Sequence, residues 1–199
     1  MEWNPKKPGM ARGWYHRGRM QHFDPGETNQ FITFRLFDSV PEKLIRRWES
    51  RIDPDDPATA AEYRKKIERF LDRGYGECYL RQAAVAKLVR DSLYFHDGKK
   101  HHLICWVIMP NHVHVLLRPL ANVDLAEVMH SIKSYTAHEA NKLLRRSGQF
   151  WQHESFDRYI RNTQHFHNVI RYIERNPVKA RLCKEPADWP FSSASKVIV

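Results

Sequence analysis

Several short runs of the chain are rich in apolar, aromatic and β-branched residues, which is typical of β-strands. The run QFITFRLFDS (30–39) is the first, and HHLICWVIM (101–109) and HVHVLLRP (112–119) follow on either side of a Pro-Asn pair. Aromatic and β-branched residues favour strands, and proline and asparagine favour turns. We therefore predict an early strand, a central hairpin, and a later short strand at FDRYIR (156–161).

Elsewhere the apolar positions recur every three or four residues, which is the period of an amphipathic helix. We predict a first helix after Ser39, a suitable N-cap with Glu42 three residues on. Further helices are expected over 56–73, 81–95, 124–146 and 163–176. Pro177 should end the last of them, because proline has no N–H and its ring clashes with the preceding turn.

The order of these elements is strand, helices, hairpin, helix, strand, helix. It favours an α+β fold, in which helices cover an antiparallel sheet of the ferredoxin-like (RRM-like) kind. Residues 1–29 are rich in Pro, Gly, Arg and Lys and show neither period, as in a disordered basic arm. We divide the rest into a domain over 30–185, with a helical insertion at about 40–95, and a C-terminal tail over 186–199.

Charge and cysteine content narrow the choice of partner and compartment. The 199 residues include 33 Lys and Arg against 23 Asp and Glu, a net charge of +10 that favours a polyanion such as nucleic acid. Cys78, Cys105 and Cys183 form no CxxC pair, which fits a reducing compartment. The N-terminus has no apolar signal core, and the apolar run LICWVIM is too short for a membrane span. We expect a cytoplasmic protein.

Two histidines interrupt the apolar strand after the Pro-Asn pair. Because side chains alternate along a strand, His112 and His114 should share one face while Val113 and Val115 share the other. Paired imidazoles are common ligands of divalent metals. A single such pair is more often incidental, so a metal site needs a third ligand and a reacting group.

The helix before Pro177 offers both groups. Tyr172 and Asn176 are four residues apart and should lie on one helical face. A phenol oxygen can act as a nucleophile, and an amide oxygen can bind a cation. The alternative is that Tyr172 is a core residue beside Ile173 and that Asn176 is simply the last helical residue.

Several separated blocks, in a fixed order, resemble a known family. PNHVHVLL (110–117), WQHESFDRYIR (151–161) and YIERNPVKARL (172–182) are similar to the REP-associated tyrosine transposases, relatives of the single-tyrosine transposases in the HUH endonuclease class. The upstream segments FITFRLFDSVP and GECYLRQAAVAKLV resemble one branch of that family. The resemblance extends over about residues 27–185.

This resemblance implies an HUH-type fold and a role for each matched residue. His112 and His114 would bind a divalent cation, Mg²⁺ or Mn²⁺, and Asn176 would complete the site. Tyr172 would attack a single-stranded DNA phosphodiester, become joined to the 5′ phosphate and leave a free 3′ hydroxyl. The implied substrates are hairpins of repetitive extragenic palindromes, nicked and joined during transposition by a nucleoid-associated monomer or homodimer.

Basic residues in or beside the matched blocks are expected to contact DNA phosphates: Arg118, Lys133, Arg158, Arg161 and Arg171. Trp106 and Trp151 would either stack on unpaired bases or lie in the core. The basic N-terminal arm would either add DNA contacts or be a solvated tail.

Rival interpretations remain for both the residues and the function. Tyr159 and Tyr135 are alternative nucleophiles, and His165 and His167 repeat the HxH string inside a helix, where residues two apart do not face each other. The protein could instead be a cleavage-inactive DNA-binding regulator of the same fold. It could also be a structural-metal or RNA-binding ferredoxin-like module, although no cysteine ligands or aromatic ribonucleoprotein motif support that class.

Overall fold

A computed structural model describes residues 13–17, 20–24, 28–53 and 56–196. The strands are β1 (Gly13–Arg17), β2 (Met20–Asp24), β3 (Gln30–Arg35), β4 (His101–Ile108), β5 (His112–Pro119) and β6 (Phe156–Tyr159). The α-helices are α1 (Glu42–Glu49), α2 (Pro57–Leu71), α3 (Ala83–Phe95), α4 (Leu125–Leu143) and α5 (Thr163–Lys179). Short 3₁₀ turns span Tyr79–Arg81 and Pro186–Asp188.

The main sheet has the strand order β4-β5-β3-β6, and its neighbouring strands are antiparallel. Numbered by their sequence within this sheet, the strands therefore lie in the order 2-3-1-4, which is the ferredoxin-like arrangement. α3 and α4 are the two crossover helices, α1 and α2 are additional helices between β3 and α3, and α5 follows β6. The predicted α+β architecture is confirmed.

The sheet has two differently covered faces. The apolar face, formed by Ile32, Phe34, Val113, Val115 and Leu117, belongs to one core cluster with the buried residues of α3 and α4. On the opposite side, which we call the histidine face, Thr33 pairs with His114 and Arg35 pairs with His112. α5 packs on this second face, and α2 lies beside it.

Side-chain caps fix where the helices begin. Asp124 accepts a hydrogen bond from the Ala126 N–H at 2.9 Å, which starts α4 where the sequence predicts it. Asn162 accepts from the His165 N–H at 2.8 Å and starts α5. Ser39 is not the N-cap of α1: Pro41 holds that position, and the Ser39 hydroxyl donates to the Leu36 carbonyl at 2.7 Å.

The prediction that Pro177 ends α5 is wrong. The helix includes Pro177 and continues to Lys179. Its last turn forms although Pro177 cannot donate, because Ala180 N–H donates to the Asn176 carbonyl at 3.0 Å and Leu182 N–H donates to the Pro177 carbonyl at 2.9 Å. Asn176 therefore lies inside the helix and not at its end.

Both termini contain structure that the sequence analysis did not predict. Within 1–29, β1 and β2 form an antiparallel hairpin in which Trp14 is opposite Phe23. The signal was present, since these strands are rich in aromatic residues and a Gly-Arg pair separates them. Residues 1–12, 18–19 and 25–27 lie outside the described part of the chain.

The segment expected as a C-terminal tail lies along the edge of the sheet over its described residues, 186–196. The Phe191 carbonyl accepts from Ile108 N–H at 2.8 Å, and Ser193 N–H donates to the Trp106 carbonyl at 2.9 Å. Trp189 adds an indole N–H bond to the Ile108 carbonyl at 2.9 Å. These contacts cover the exposed edge of β4.

Candidate active site

The two strand histidines converge on the histidine face. Their Nε2 atoms are 3.1 Å apart, and each ring is about 1% exposed. The Nδ1 atoms point to fixed partners: that of His112 lies 2.8 Å from Asn111 Oδ1, and that of His114 lies 2.7 Å from Thr33 Oγ1. The two imidazoles therefore lie side by side on one face of the sheet, as predicted, and their Nε2 atoms face each other.

Thr33 and Asn111 were not among the residues selected from the sequence. Asn111 immediately precedes His112, so its position was a usable signal. Thr33 gave no signal, because only the pairing of β3 with β5 brings it opposite His114.

Both imidazoles are uncharged at neutral pH. Burial, assisted by the positive charge of Lys179, lowers the pKa of His112 to about 3. Burial also lowers the pKa of His114 well below its usual value, with smaller contributions from His112 and Lys179. A neutral imidazole has a nitrogen lone pair and can bind a metal ion, so the pair is in its ligand form.

Tyr172 packs against this pair within the same chain, with its ring centroid 5.3 Å from that of His114. Its hydroxyl is buried and has no hydrogen-bond partner in the described structure. Burial raises the pKa of Tyr172, and the acidic side chains of Glu68 on α2 and of Asp72, the residue after α2, raise it further. The phenol is therefore protonated in this state.

Asn176 is also buried, and neither polar atom of its amide has a partner among the described residues. A buried amide without hydrogen bonds costs free energy, so an asparagine at this position points to a partner such as a bound cation. Two neutral imidazoles and one amide oxygen form a donor set that fits a divalent cation. Within the described ranges no group of three His, Cys, Asp or Glu residues could hold a metal by itself.

The rival tyrosines lie on the other side of the sheet. Tyr159 is opposite Gln30 in the β3–β6 pair, and this register directs its side chain to the apolar face. Tyr135 is on α4, which packs on that same face, and is 55% exposed. Neither side chain reaches the histidine pair from there.

A basic groove runs along α5 beside Tyr172. A cavity of about 510 Å³ is lined by Arg171, Tyr172, Arg175 and Lys179 together with Asn168 and Val178. Arg175 and Lys179 were missed from the sequence, although they follow Arg171 at intervals of four residues on a helix. Lys179 also forms a 2.7 Å ion pair with Asp72, the residue that follows α2.

The other predicted DNA contacts are distributed over the molecule. Arg158 is exposed and lies opposite Phe31 in register, so it projects from the histidine face. Arg161 is exposed just before α5. Arg118 is exposed six residues along β5 from His112, a separation of about 20 Å at the rise of a strand.

Lys133, predicted to contact a DNA phosphate, already has partners within the protein. Its ammonium donates to the carbonyls of Gln152 and His153, both at 2.8 Å. These bonds hold the segment before β6 against α4, on the apolar side of the sheet. A cation already engaged in this way is a poor phosphate ligand.

Trp106 and Trp151 are core residues, as one of the two interpretations expected. Each is 4% exposed and belongs to the cluster on the apolar face. The indole N–H of Trp151 donates to Thr136 Oγ1 at 2.9 Å, and that of Trp106 donates to Tyr94 Oη at 3.3 Å. Base stacking on either ring is excluded in this arrangement.

The second HxH string does not form a site. His165 lies in the first turn of α5, where its Nδ1 accepts from the Arg161 N–H at 3.2 Å, and His167 is exposed. The helical period directs their rings apart, as predicted.

Comparison with known proteins agrees with this geometry. The family described as "Transposase IS200 like" matches residues 82–176, a segment that includes both strand histidines, Tyr172 and Asn176. The resemblance to the single-tyrosine transposases is thereby confirmed. A REP-associated tyrosine transposase of Escherichia coli (strain K12) is 30% identical over 111 residues, which are 55% of this chain and 60% of that protein. The chain thus spans about three fifths of this curated relative.

A solved structure of a REP-associated tyrosine transposase bound to a REP hairpin superimposes with a TM-score of 0.50. The match covers 90% of this chain and 81% of that chain at 20% sequence identity. The fold is accordingly the HUH type that the sequence predicted. Among the described helices, none is long and apolar enough to cross a membrane.

Proposed function

We propose that the protein is a metal-dependent endonuclease and strand transferase of single-stranded DNA, which acts on palindromic hairpins through a 5′-phosphotyrosine intermediate. One observation carries the proposal. The Nε2 atoms of His112 and His114 converge at 3.1 Å, and Tyr172 of the same chain packs 5.3 Å from the His114 ring. The proposed ligands and the proposed nucleophile thus lie together within one chain.

The proposed reaction needs the Tyr172 hydroxyl to lose its proton. Its oxygen would then attack the phosphorus of a phosphodiester, forming an O–P bond while the bond from phosphorus to the 3′ oxygen breaks. The departing 3′ oxygen takes up a proton and becomes a free hydroxyl. Because the new bond is also a phosphodiester, a 3′ hydroxyl can reverse the attack at another junction without ATP.

His112, His114 and the amide oxygen of Asn176 would hold the cation. When bound, a divalent ion offsets the negative charge of the phosphate that Tyr172 approaches. The chain's own contribution is to keep both imidazoles neutral and buried and to present Tyr172 from the facing helix.

The groove on α5 suits the phosphates of a DNA strand. Arg171 and Arg175 are exposed on its rim beside Tyr172, and Arg158 projects from the same side of the sheet. Contacts of this kind set affinity and salt dependence. The hairpin bound by the structural neighbour supports hairpin DNA as the partner. An enzyme of this activity would work in the cytoplasm, at the nucleoid.

Covalent capture of DNA tests the proposal. The protein is incubated with 5′- and 3′-labelled single-stranded hairpins and Mg²⁺ or Mn²⁺, and the products are separated on a denaturing gel. We expect an adduct that carries the label 3′ of the nick and disappears with EDTA or in Tyr172→Phe. Tyr135→Phe, a matched change on the opposite side of the sheet, should retain the adduct. An adduct that persists in Tyr172→Phe would contradict the assigned nucleophile.

A cleavage-inactive DNA-binding protein is the second candidate. It is favoured by the inaccessible hydroxyl of Tyr172 and by burial that raises the pKa of that group. Hairpin binding without any adduct, across divalent ions and hairpin sequences, would establish this function in place of cleavage.

A further inference from the structure

We propose that Asn111, held by the connection between α2 and α3, fixes the proton of His112 on Nδ1 and so keeps the Nε2 lone pair directed at the cation site. The metal-binding role of this arrangement rests on the proposed function. The protonation that it assigns is a property of the metal-free protein and can be tested without DNA.

The hydrogen bonds of Asn111 determine which end of its amide faces the histidine. The side chain is fully buried, and its Nδ2 lies 3.0 Å from the Tyr75 carbonyl, which can only accept. The other end, Oδ1, therefore faces His112 Nδ1 at 2.8 Å and must accept there. A flipped amide would place two acceptors against each other at Tyr75. His112 consequently carries its proton on Nδ1.

The Tyr75 carbonyl is itself held in place by its neighbours. Gly76 has φ +86°, and a Cβ there would lie 2.9 Å from atoms of Asp38, so the position requires glycine. Asp38 Oδ2 accepts from the Glu77 N–H at 2.8 Å. The α2–α3 connection is thus bonded to the segment that follows β3. Through the Tyr75 carbonyl it also contacts Asn111, which is bonded to His112.

His114 has a more adaptable partner. The Thr33 hydroxyl, 2.7 Å from His114 Nδ1, can either donate or accept. In the metal-free protein His112 Nε2 can only accept, so His114 must donate across the 3.1 Å gap from its own Nε2. Thr33 then donates to His114 Nδ1.

Binding of a cation requires a lone pair on both Nε2 atoms. The His114 proton must then reside on Nδ1, and the Thr33 hydroxyl turns from donor to acceptor. No proton is gained or lost in this change. The Asn111 amide therefore fixes the tautomer of His112, whereas the Thr33 hydroxyl allows His114 to change its tautomer. Partners of this kind commonly change metal affinity 10- to 100-fold when removed.

Long-range ¹H–¹⁵N NMR of the imidazole rings tests the assignment in metal-free protein at pH 7.5. We expect the Nδ1–H tautomer for His112 and the Nε2–H tautomer for His114. Zn²⁺, a diamagnetic probe that imidazoles also bind, should move the His114 proton to Nδ1. An Nε2–H tautomer at His112 in the unaltered protein would overturn the inference without any variant.

Variants separate the acceptor role of Asn111 from its volume. Asn111→Leu should release the His112 tautomer and weaken Mn²⁺ binding by about 10- to 100-fold. Asn111→Asp retains an acceptor and should keep the Nδ1–H form. Gly76→Ala, which alters the connection alone, should shift the tautomer in the same direction as Asn111→Leu but less.

Asn141→Ala is the matched control for these variants. The Asn141 amide also donates to a backbone carbonyl, that of Gly148 at 2.9 Å, but on α4. It should change neither the tautomers nor the affinity. An unchanged tautomer and affinity in Asn111→Leu would refute the role of Asn111. If the tautomers are as expected but no DNA adduct forms, the proposed function fails and this assignment stands.

Discussion

The two faces of the sheet differ in the kind of side chain that they bury. On the apolar face Val113, Val115 and Leu117 are fully buried among other hydrocarbon side chains. On the histidine face His112 and His114 are about 1% exposed, and Tyr172 above them has an unpartnered hydroxyl. Burial of an unpaired polar group lowers the stability of the fold. Polar groups buried at such a cost are typical of functional sites, and those of the histidine face are the kinds that bind a cation and attack a phosphate.

The largest expected effect is the loss of a ligand from the histidine face. His114→Gln should weaken Mn²⁺ binding by at least about 100-fold, since ligand loss should cost as much as loss of a supporting hydrogen bond or more. His101→Gln is the matched control, because His101 is fully buried and lies far from the pair at the start of β4. Titration calorimetry of both variants gives the comparison. Equal loss of affinity in the two would contradict a site on the histidine face.

Stability should respond in the opposite way on the two faces. Ile132 of α4 is fully buried in the apolar cluster, so Ile132→Ala should lower the free energy of unfolding by about 2–5 kcal/mol. Tyr172→Phe removes an unpartnered buried hydroxyl and should leave stability unchanged or raise it by up to about 1 kcal/mol. Urea unfolding of both variants measures these changes. A large destabilisation by Tyr172→Phe would show that the hydroxyl is a structural group.

Acid should destabilise the metal-free protein through the buried histidines. The pKa of His112 is about 3 when folded, so between pH 3 and about 6.5 the unfolded chain binds more protons. Stability is therefore present above that window and is lost as the pH falls through it, by about 2 kcal/mol at pH 5 from this residue.

Urea unfolding at pH 7.5 and pH 5, with EDTA, compares the protein with His112→Gln, which should lose about 2 kcal/mol less on acidification. His101, whose pKa burial lowers to about 4, contributes to both proteins equally. Val113→Ala, the neighbour on the apolar face, should lower stability by the same amount at both pH values. Identical acid sensitivity of His112→Gln and the unaltered protein would contradict a neutral buried His112.

The smallest effect is expected at the rim of the site. The ion pair of Lys179 with Asp72 is partly exposed, so Lys179→Gln should change the free energy of unfolding by less than about 1 kcal/mol. If Lys179 contacts a phosphate, the slope of log affinity for hairpin DNA against log salt concentration should fall by about 1. Lys133→Gln should leave that slope unchanged, because Lys133 is bonded to backbone carbonyls. A smaller slope in Lys133→Gln with an unchanged slope in Lys179→Gln would show that Lys133, and not Lys179, contacts a phosphate.

Local periodicity sufficed to predict much of this arrangement. The strand period of 112–119 put two histidines on one side, and the helical period put Tyr172 and Asn176 on one side of α5. The same rule separated His165 from His167, which share the HxH string but not the strand. Which residues share a face depends only on their spacing within one strand or helix, and this spacing can be taken directly from the sequence.

What the sequence did not predict depends on contacts between distant segments. Thr33 meets His114, and the carbonyl of Tyr75 meets Asn111, only after β3, β5 and the α2–α3 connection have assembled. Lys133 was expected at a phosphate because its charge is visible in the sequence, whereas its carbonyl partners are not. The end of α5 was misplaced because the bonds that continue it past Pro177 come from Ala180 and Leu182.

The most direct test of the central claim is to identify which tyrosine becomes linked to DNA. The covalent product is digested with nuclease and trypsin, and the peptide that carries a 5′-linked nucleotide is sequenced by mass spectrometry. Cleavage after arginine isolates Tyr172 in YIER (172–175) and Tyr159 in YIR (159–161). We predict the modification on YIER at Tyr172. A nucleotide on Tyr159 or Tyr135, on the opposite side of the sheet, would contradict the assignment of the active site to the histidine face.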